Sequence, residues 1–219
     1  MCGRYTLRAK LNLLLDQFAA EMAEERDFPA RYNIAPTQDV LAIRHPREAV
    51  LLKWGLIPSW AKDAKIAYST INARADTVAT KPAFRSAYKK RRCLVIADGY
   101  YEWRKEGKAK LPYYYEIDGG KPFAFAGLWE WWREPGKECD GIETCSLITT
   151  EANTLASEIH DRMPVILDAA DYNRWLDPGV ADPADLLRQF PSVRMSVRPV
   201  SMFVNNARNS GPECVAAPA

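Results

Sequence analysis

The chain has 219 residues, 47% of them hydrophobic and 26% charged, with a formal net charge of +2 at pH 7. This length holds one substantial core or two small ones, and the composition excludes a disordered, fibrous or membrane-spanning chain. Net charge alone does not mark a nucleic-acid binder; five cysteines without CxxC spacing argue against a disulfide framework or a zinc site; with no leader or long apolar run, a soluble cytoplasmic protein is expected.

The chain opens Met1-Cys2-Gly3-Arg4-Tyr5. Cys2 is small enough for methionine trimming, and loss of Met1 leaves an α-amine and a thiol on adjacent carbons. Such an amine condenses with an aldehyde to a Schiff base, and the thiol then closes a five-membered thiazolidine. The reference pKa of an α-amine is about 7.7–8.0 and that of a thiol about 8.5, the latter falling near a cation such as Arg4. Residues 9–23 read as a helix, with Leu11, Leu14, Leu15 and Phe18 on one apolar face, and 16–27 are rich in acids. A turn-rich piece at 31–37 precedes strands at 40–43 and 50–54. Residues 71–77 form a second polar, turn-like segment.

From 81 to 92 there are six basic residues and no acid, a candidate basic face, with a helix over 82–90. An apolar strand at 93–97 runs into Asp98-Gly99-Tyr100-Tyr101-Glu102-Trp103. Strands follow at 113–117, 123–126 and 145–149, with a polar loop at 133–142. Helices are predicted at 151–159, 169–175 and 183–190, with Asp168 and Asp182 as caps, then a strand at 195–200 and a flexible tail from about 213 to 219. Strands outnumber helices and do not alternate with them. The prediction is α+β: one compact domain over 1–219, with a mainly antiparallel, barrel-like sheet flanked by helices.

Singly, the polar pieces are weak signals. Asn72 alone reads as a turn amide, Glu102 as a solvated strand-edge acid, and His160 as an ordinary surface histidine. Together, six ordered segments are specific: MCGRYTL at the start, then RYNIAPTQ, WGLIPSW, INARADT, ADGYYEW and IHDRMPVIL. In these the chain resembles the SRAP family, the SOS response-associated peptidases or abasic-site processing proteins. The likeness runs nearly end to end and is loosest after Trp175.

The resemblance implies binding to single-stranded DNA that carries an abasic site, and a covalent thiazolidine link from the terminal cysteine to the sugar aldehyde. It assigns Cys2 as nucleophile through amine and sulfur, Asn72 as the positioning amide, Glu102 to proton transfer, and His160 to ring opening and Schiff-base steps. It places Arg4, Arg74 and Arg85 against phosphates and Pro36 and Trp103 against exposed bases, with Trp54 and Trp60 as further candidates. No cofactor, metal or membrane partner is expected. The chemistry fits these roles. Opening the sugar hemiacetal and losing water from the carbinolamine need a carboxylate and an imidazole, and thiol closure is then intramolecular.

Two other readings remain open at this point. An amino-terminal-nucleophile cysteine amidohydrolase or peptidase also uses a terminal cysteine, and the family's name suggests self-processing at Met1. A passive single-strand-binding module would not need Cys2 at all.

Overall fold

Thirteen strands carry the fold in the computed structural model, which describes residues 2–23, 27–136 and 140–218. The readings for Met1, for Glu24 and Glu25, for the middle of the 133–142 loop and for Ala219 lie outside those residues. In chain order the strands are β1 (Tyr5–Leu7), β2 (Arg31–Ile34), β3 (Asp39–Arg44), β4 (Glu48–Trp54), β5 (Asn72–Arg74), β6 (Arg92–Ala97), β7 (Gly99–Glu106), β8 (Ala109–Ile117), β9 (Phe123–Trp132), β10 (Ile142–Glu151), β11 (Arg162–Pro164), β12 (Ile166–Leu167) and β13 (Met195–Pro199). The α-helices are short: α1 (Leu11–Phe18), α2 (Arg85–Lys90) and α3 (Tyr172–Leu176).

Five strands close a ring. β10 pairs with β4, β4 with β3, β3 with β6, β6 with β9, and β9 returns to β10. Closure leaves none of these five as a free edge. Every residue of β6 is buried, as expected of a continuous apolar run in a barrel wall. Past the ring, the end of β10 takes β5 in parallel and β11 in antiparallel pairing. A second, wholly antiparallel sheet has the order β13-β8-β7-β1-β2. The two sheets meet through aromatic rings. Tyr5 and Tyr100 lie edge-on to Phe125 at 5.7 and 6.1 Å, and Tyr5 also meets Trp54 at 5.4 Å.

The α+β architecture and the barrel agree with the sequence; the helices differ. The predicted helix at 9–23 stops at Phe18, because Ala19 turns left-handed (φ 47°) and Glu21 then bridges to Glu48 at the sheet. The predicted helices at 151–159 and 183–190 shrink to 3-10 turns at Ala156–Glu158 and Ala184–Leu186, and that at 169–175 begins as a 3-10 turn before α3. Asp168 stands at the N-cap of that 3-10 turn but its side chain makes no cap bond; its carboxylate pairs with Arg194. Asp182 does accept the Ala184 N–H, at 3.0 Å. Where the sequence reads as a tail, a 3-10 turn at Pro212–Val215 buries Cys214 among Tyr101, Tyr114, Val200 and Val204. Among the described residues no helix is long and apolar enough to cross a membrane.

Candidate active site

The amino-terminal strand is held from below by Asp98. Its carboxylate accepts the Thr6 hydroxyl at 2.5 Å, the Arg8 and Ala9 N–H groups at 2.5 and 3.2 Å, and Arg8 Nε at 3.2 Å. Next to it, Gly99 admits no side chain: a Cβ there would stand 2.0 Å from the Tyr114 hydroxyl, which itself contacts Thr6 Oγ1 at 2.7 Å. The Asp98-Gly99 pair therefore fixes β1 on β7, and with it the register that brings Cys2 toward Glu102.

Four segments supply the site. Cys2 precedes β1, Glu102 lies within β7, Asn72 starts β5, and His160 stands just ahead of β11. Cys2 and Glu102 thus come with the five-stranded sheet, and Asn72 and His160 with the two strands on the end of β10. Cys2 is wholly buried, with Sγ 3.9 Å from the Arg4 carbonyl. Asn72 Nδ2 donates to the Cys2 carbonyl at 2.8 Å, while its Oδ1 is buried with no hydrogen-bond partner among the described residues. Burial pushes the Cys2 thiol far up, and the neighbouring Glu102 charge adds to the rise. Glu102 is 4% exposed, and burial raises its carboxyl to about 7. Burial acts the other way on His160, lowering its pKa and favouring the neutral ring. The Arg162 N–H donates to His160 Nδ1 at 3.0 Å, which leaves the ring proton on Nε2. Asp161 Oδ1 also lies 2.8 Å from Nδ1, so it competes for that atom when the ring is protonated.

Glu102 and His160 border a cleft of about 440 Å³, lined also by Gly3, Arg4, Trp103, Lys105, Lys110 and Asn205; Cys2 and Asn72 are not among its lining residues. A thiol that must lose a proton, a carboxyl titrating near neutrality and a neutral imidazole are a working acid–base set. Among the described residues no cluster of three or more His, Cys, Asp or Glu side chains is arranged to hold a metal ion.

The residues predicted to meet nucleic acid divide. Arg4 and Trp103 are in the cleft, with the guanidinium 5.7 Å from the Trp103 ring. Arg4 also donates to Asn33 Oδ1 at 2.8 Å and to the Val204 carbonyl at 3.0 Å, so it ties the RYNIAPTQ segment to the C-terminal region. Arg74 ends β5 and is exposed, with its guanidinium clasped by Asp76. Pro36 sits half-buried in the turn between β2 and β3, and Arg85 is exposed at the start of α2; neither lines the cleft. Trp60 is 59% exposed, whereas Trp54 is core, its Nε1 donating to the Ile71 carbonyl. The basic run at 81–92 is not one face. Arg92 is buried and donates to the carbonyls of Tyr88, Trp175, Asp177 and Val180, and Arg91 pairs with Glu130 at 2.6 Å. Sequence reasoning did not single out Lys105, Lys110 or Asn205; only their nearness to Trp103 or to the C-terminal region hinted at them.

Comparison with known proteins gives a consistent family. The profile of the SOS response associated peptidase (SRAP) family matches residues 1–207. The chain is 40% identical over 223 residues to the abasic site processing protein YoqW of Bacillus subtilis (strain 168), covering 98% of this chain and 99% of that one. It is 34% identical to the abasic site processing protein HMCES of Xenopus tropicalis over 220 residues, 85% of this chain and 65% of that one. Among solved structures, a protein from Bacteroides thetaiotaomicron superposes with a TM-score of 0.91 at 30% identity, covering 99% of each chain.

Proposed function

The chain belongs to the SOS response associated peptidase family, and on that premise we propose that it processes abasic sites in DNA by capturing them covalently. Relatives from a bacterium and a vertebrate carry the name abasic site processing protein, which supports the lesion as substrate. The observation that carries the chemistry is the meeting of Asn72 with the Cys2 carbonyl beside a cleft bordered by Glu102 and His160.

In this reading Met1 is removed and Cys2 becomes the amino terminus. His160 and Glu102 move the protons that open the sugar hemiacetal to its aldehyde. The Cys2 amine adds to that carbonyl, and the carbinolamine loses water to give a Schiff base. The thiol proton passes to Glu102, sulfur adds to the C=N carbon, and the nitrogen takes up a proton to complete the thiazolidine. Ring closure consumes the iminium, which otherwise acidifies the adjacent sugar carbon and leads to β-elimination of the 3′ phosphate. Asn72 holds the Cys2 carbonyl while this happens. The same thiol, carboxylate and imidazole serve self-processing at Met1. Single-stranded DNA, met in the cytoplasm or nucleoid, is the proposed partner, because Trp103 and Pro36 can stack only on bases freed from a duplex. Arg74 and Arg85 are proposed to meet its phosphates.

The test is a denaturing gel and intact mass on protein mixed with a single-stranded oligonucleotide holding one abasic site. The expected result is a heat-stable adduct of the Met1-lacking chain, absent with Cys2→Ala and replaced by strand cleavage with Cys2→Ser. A verified Cys2-terminal chain that gives no adduct, or a stable adduct from Cys2→Ser, sinks the reading.

A further inference from the structure

The cleft carries more positive charge than capture of a neutral aldehyde needs. β7 and β8 form a hairpin in which Lys105 stands directly opposite Lys110. Both side chains are exposed, both line the cleft, and neither has an ion-pair partner among the described residues. Like charges set directly across an antiparallel pair weaken a hairpin. The nearest acid on the hairpin, Glu106, is occupied by Arg104 at 2.5 Å. Arg4, the third cation of the cleft, is hydrogen-bonded among the described residues only to neutral oxygens, those of Asn33 and Val204.

The placement of the pair is informative. Side chains alternate along a strand, so Lys105 shares its face of β7 with Trp103. Asn205 joins Trp103 to the facing strand: its Oδ1 accepts Trp103 Nε1 at 2.6 Å and its Nδ2 donates to the Lys110 carbonyl at 3.3 Å. The indole plane is thus held in fixed relation to the strand that bears Lys110. A base laid on Trp103 would lie in the same cleft as the two ammonium groups.

We propose that Lys105 and Lys110 clamp a single phosphodiester of the DNA strand flanking the lesion, on the side where a base lies over Trp103. This rests on the proposed abasic-site reading and adds to it the direction in which the strand leaves the cleft.

The test uses the full chain and a single-stranded oligonucleotide whose central residue is a tetrahydrofuran, an abasic sugar without the aldehyde, so that binding is read without reaction. Affinity is measured across a salt series for the wild type, Lys105→Gln, Lys110→Gln and the double variant. Each phosphate neutralised on a single strand contributes about 0.7 to the slope of log K against log salt. The double variant should lose about 0.7 of slope and each single variant less than that, because the remaining ammonium group still meets the shared phosphate. Walking one uncharged methylphosphonate along the strand should find a single linkage at which wild type and double variant bind alike. Equal slopes for wild type and double variant overturn the clamp, as does an additive loss near 1.4. A thermal midpoint of the DNA-free double variant below that of the wild type also overturns it, since relief of like-charge repulsion should not destabilise the fold. A wild type that binds this oligonucleotide normally but forms no adduct with the aldehyde-bearing lesion defeats the proposed function alone.

Discussion

Glu102 lies 4% exposed within β7, and burial raises its carboxyl to about 7 from an ordinary 4.5. The folded protein therefore binds this proton more tightly than the unfolded chain does. The associated stability is complete below about pH 4.5, drains away between about 4.5 and 7, and is absent above. At roughly 1.36 kcal/mol per unit the loss is on the order of 3 kcal/mol. Glu102→Gln removes the titrating group, so its urea midpoint should stay nearly level from pH 5 to pH 8 while the wild type declines. Parallel curves for the two proteins would refute the assignment. The same shift bears on rate. In the proposed reaction the carboxylate that takes the thiol proton is populated only as pH rises through about 7, so adduct formation should climb across that range and fall about 10²-fold or more in the Gln variant.

At the scale of elements, polar motifs and apolar runs behaved differently. The runs at 40–43, 50–54 and 93–97 became β3, β4 and β6 nearly as read, because a barrel wall needs apolar side chains over its length. β1, β5 and β7 have no apolar run that marks them as strands in the sequence. They are short, or they are built around the polar residues Asn72, Glu102 and Arg74, which do not read as strand formers. The candidate residues were legible from motif likeness, but Asp98 and Asn33, inside the same motifs, hold structure instead. Asn33 Nδ2 donates to the carbonyls of Val204, Asn206 and Asn209. The basic run misled for a related reason: one-dimensional charge does not say which guanidinium faces inward. Arg92 satisfies backbone carbonyls at the end of α2 and around α3. Arg92→Met should therefore lower stability by about 2–3 kcal/mol, the scale of charge-assisted hydrogen bonds, and leave the salt slope of DNA binding unchanged. Chemical denaturation and the salt series together check this, and a lower slope with unchanged stability would return Arg92 to the DNA face.

Across the whole molecule, the site lies between two sheets that are separately built. The barrel closes on itself, while the five-stranded sheet is finished by the C-terminal segment, which packs Val204 and Cys214 over Tyr101 and Tyr114. That segment also supplies the Val204 carbonyl to Arg4, three carbonyls to Asn33 and the Asn205 amide to Trp103. The residues just ahead of the expected tail thus order Arg4 and Trp103 in the cleft. Deleting residues 201–219 should leave β3, β6 and β9 protected from hydrogen exchange, because the ring does not depend on that segment. Protection should fall in β1, β2 and β7, where buried hydrogen-bonding groups lose their partners and tyrosine faces meet water. Adduct formation should slow by about tenfold or more, since loss of one positioning hydrogen bond of about 1.4 kcal/mol already accounts for that factor. Exchange confined to the cut end, with adduct formation at the full rate, would mean that the sheet holds Arg4 and Trp103 without the segment. Loss of protection throughout the barrel would mean that the two sheets fold only as one unit.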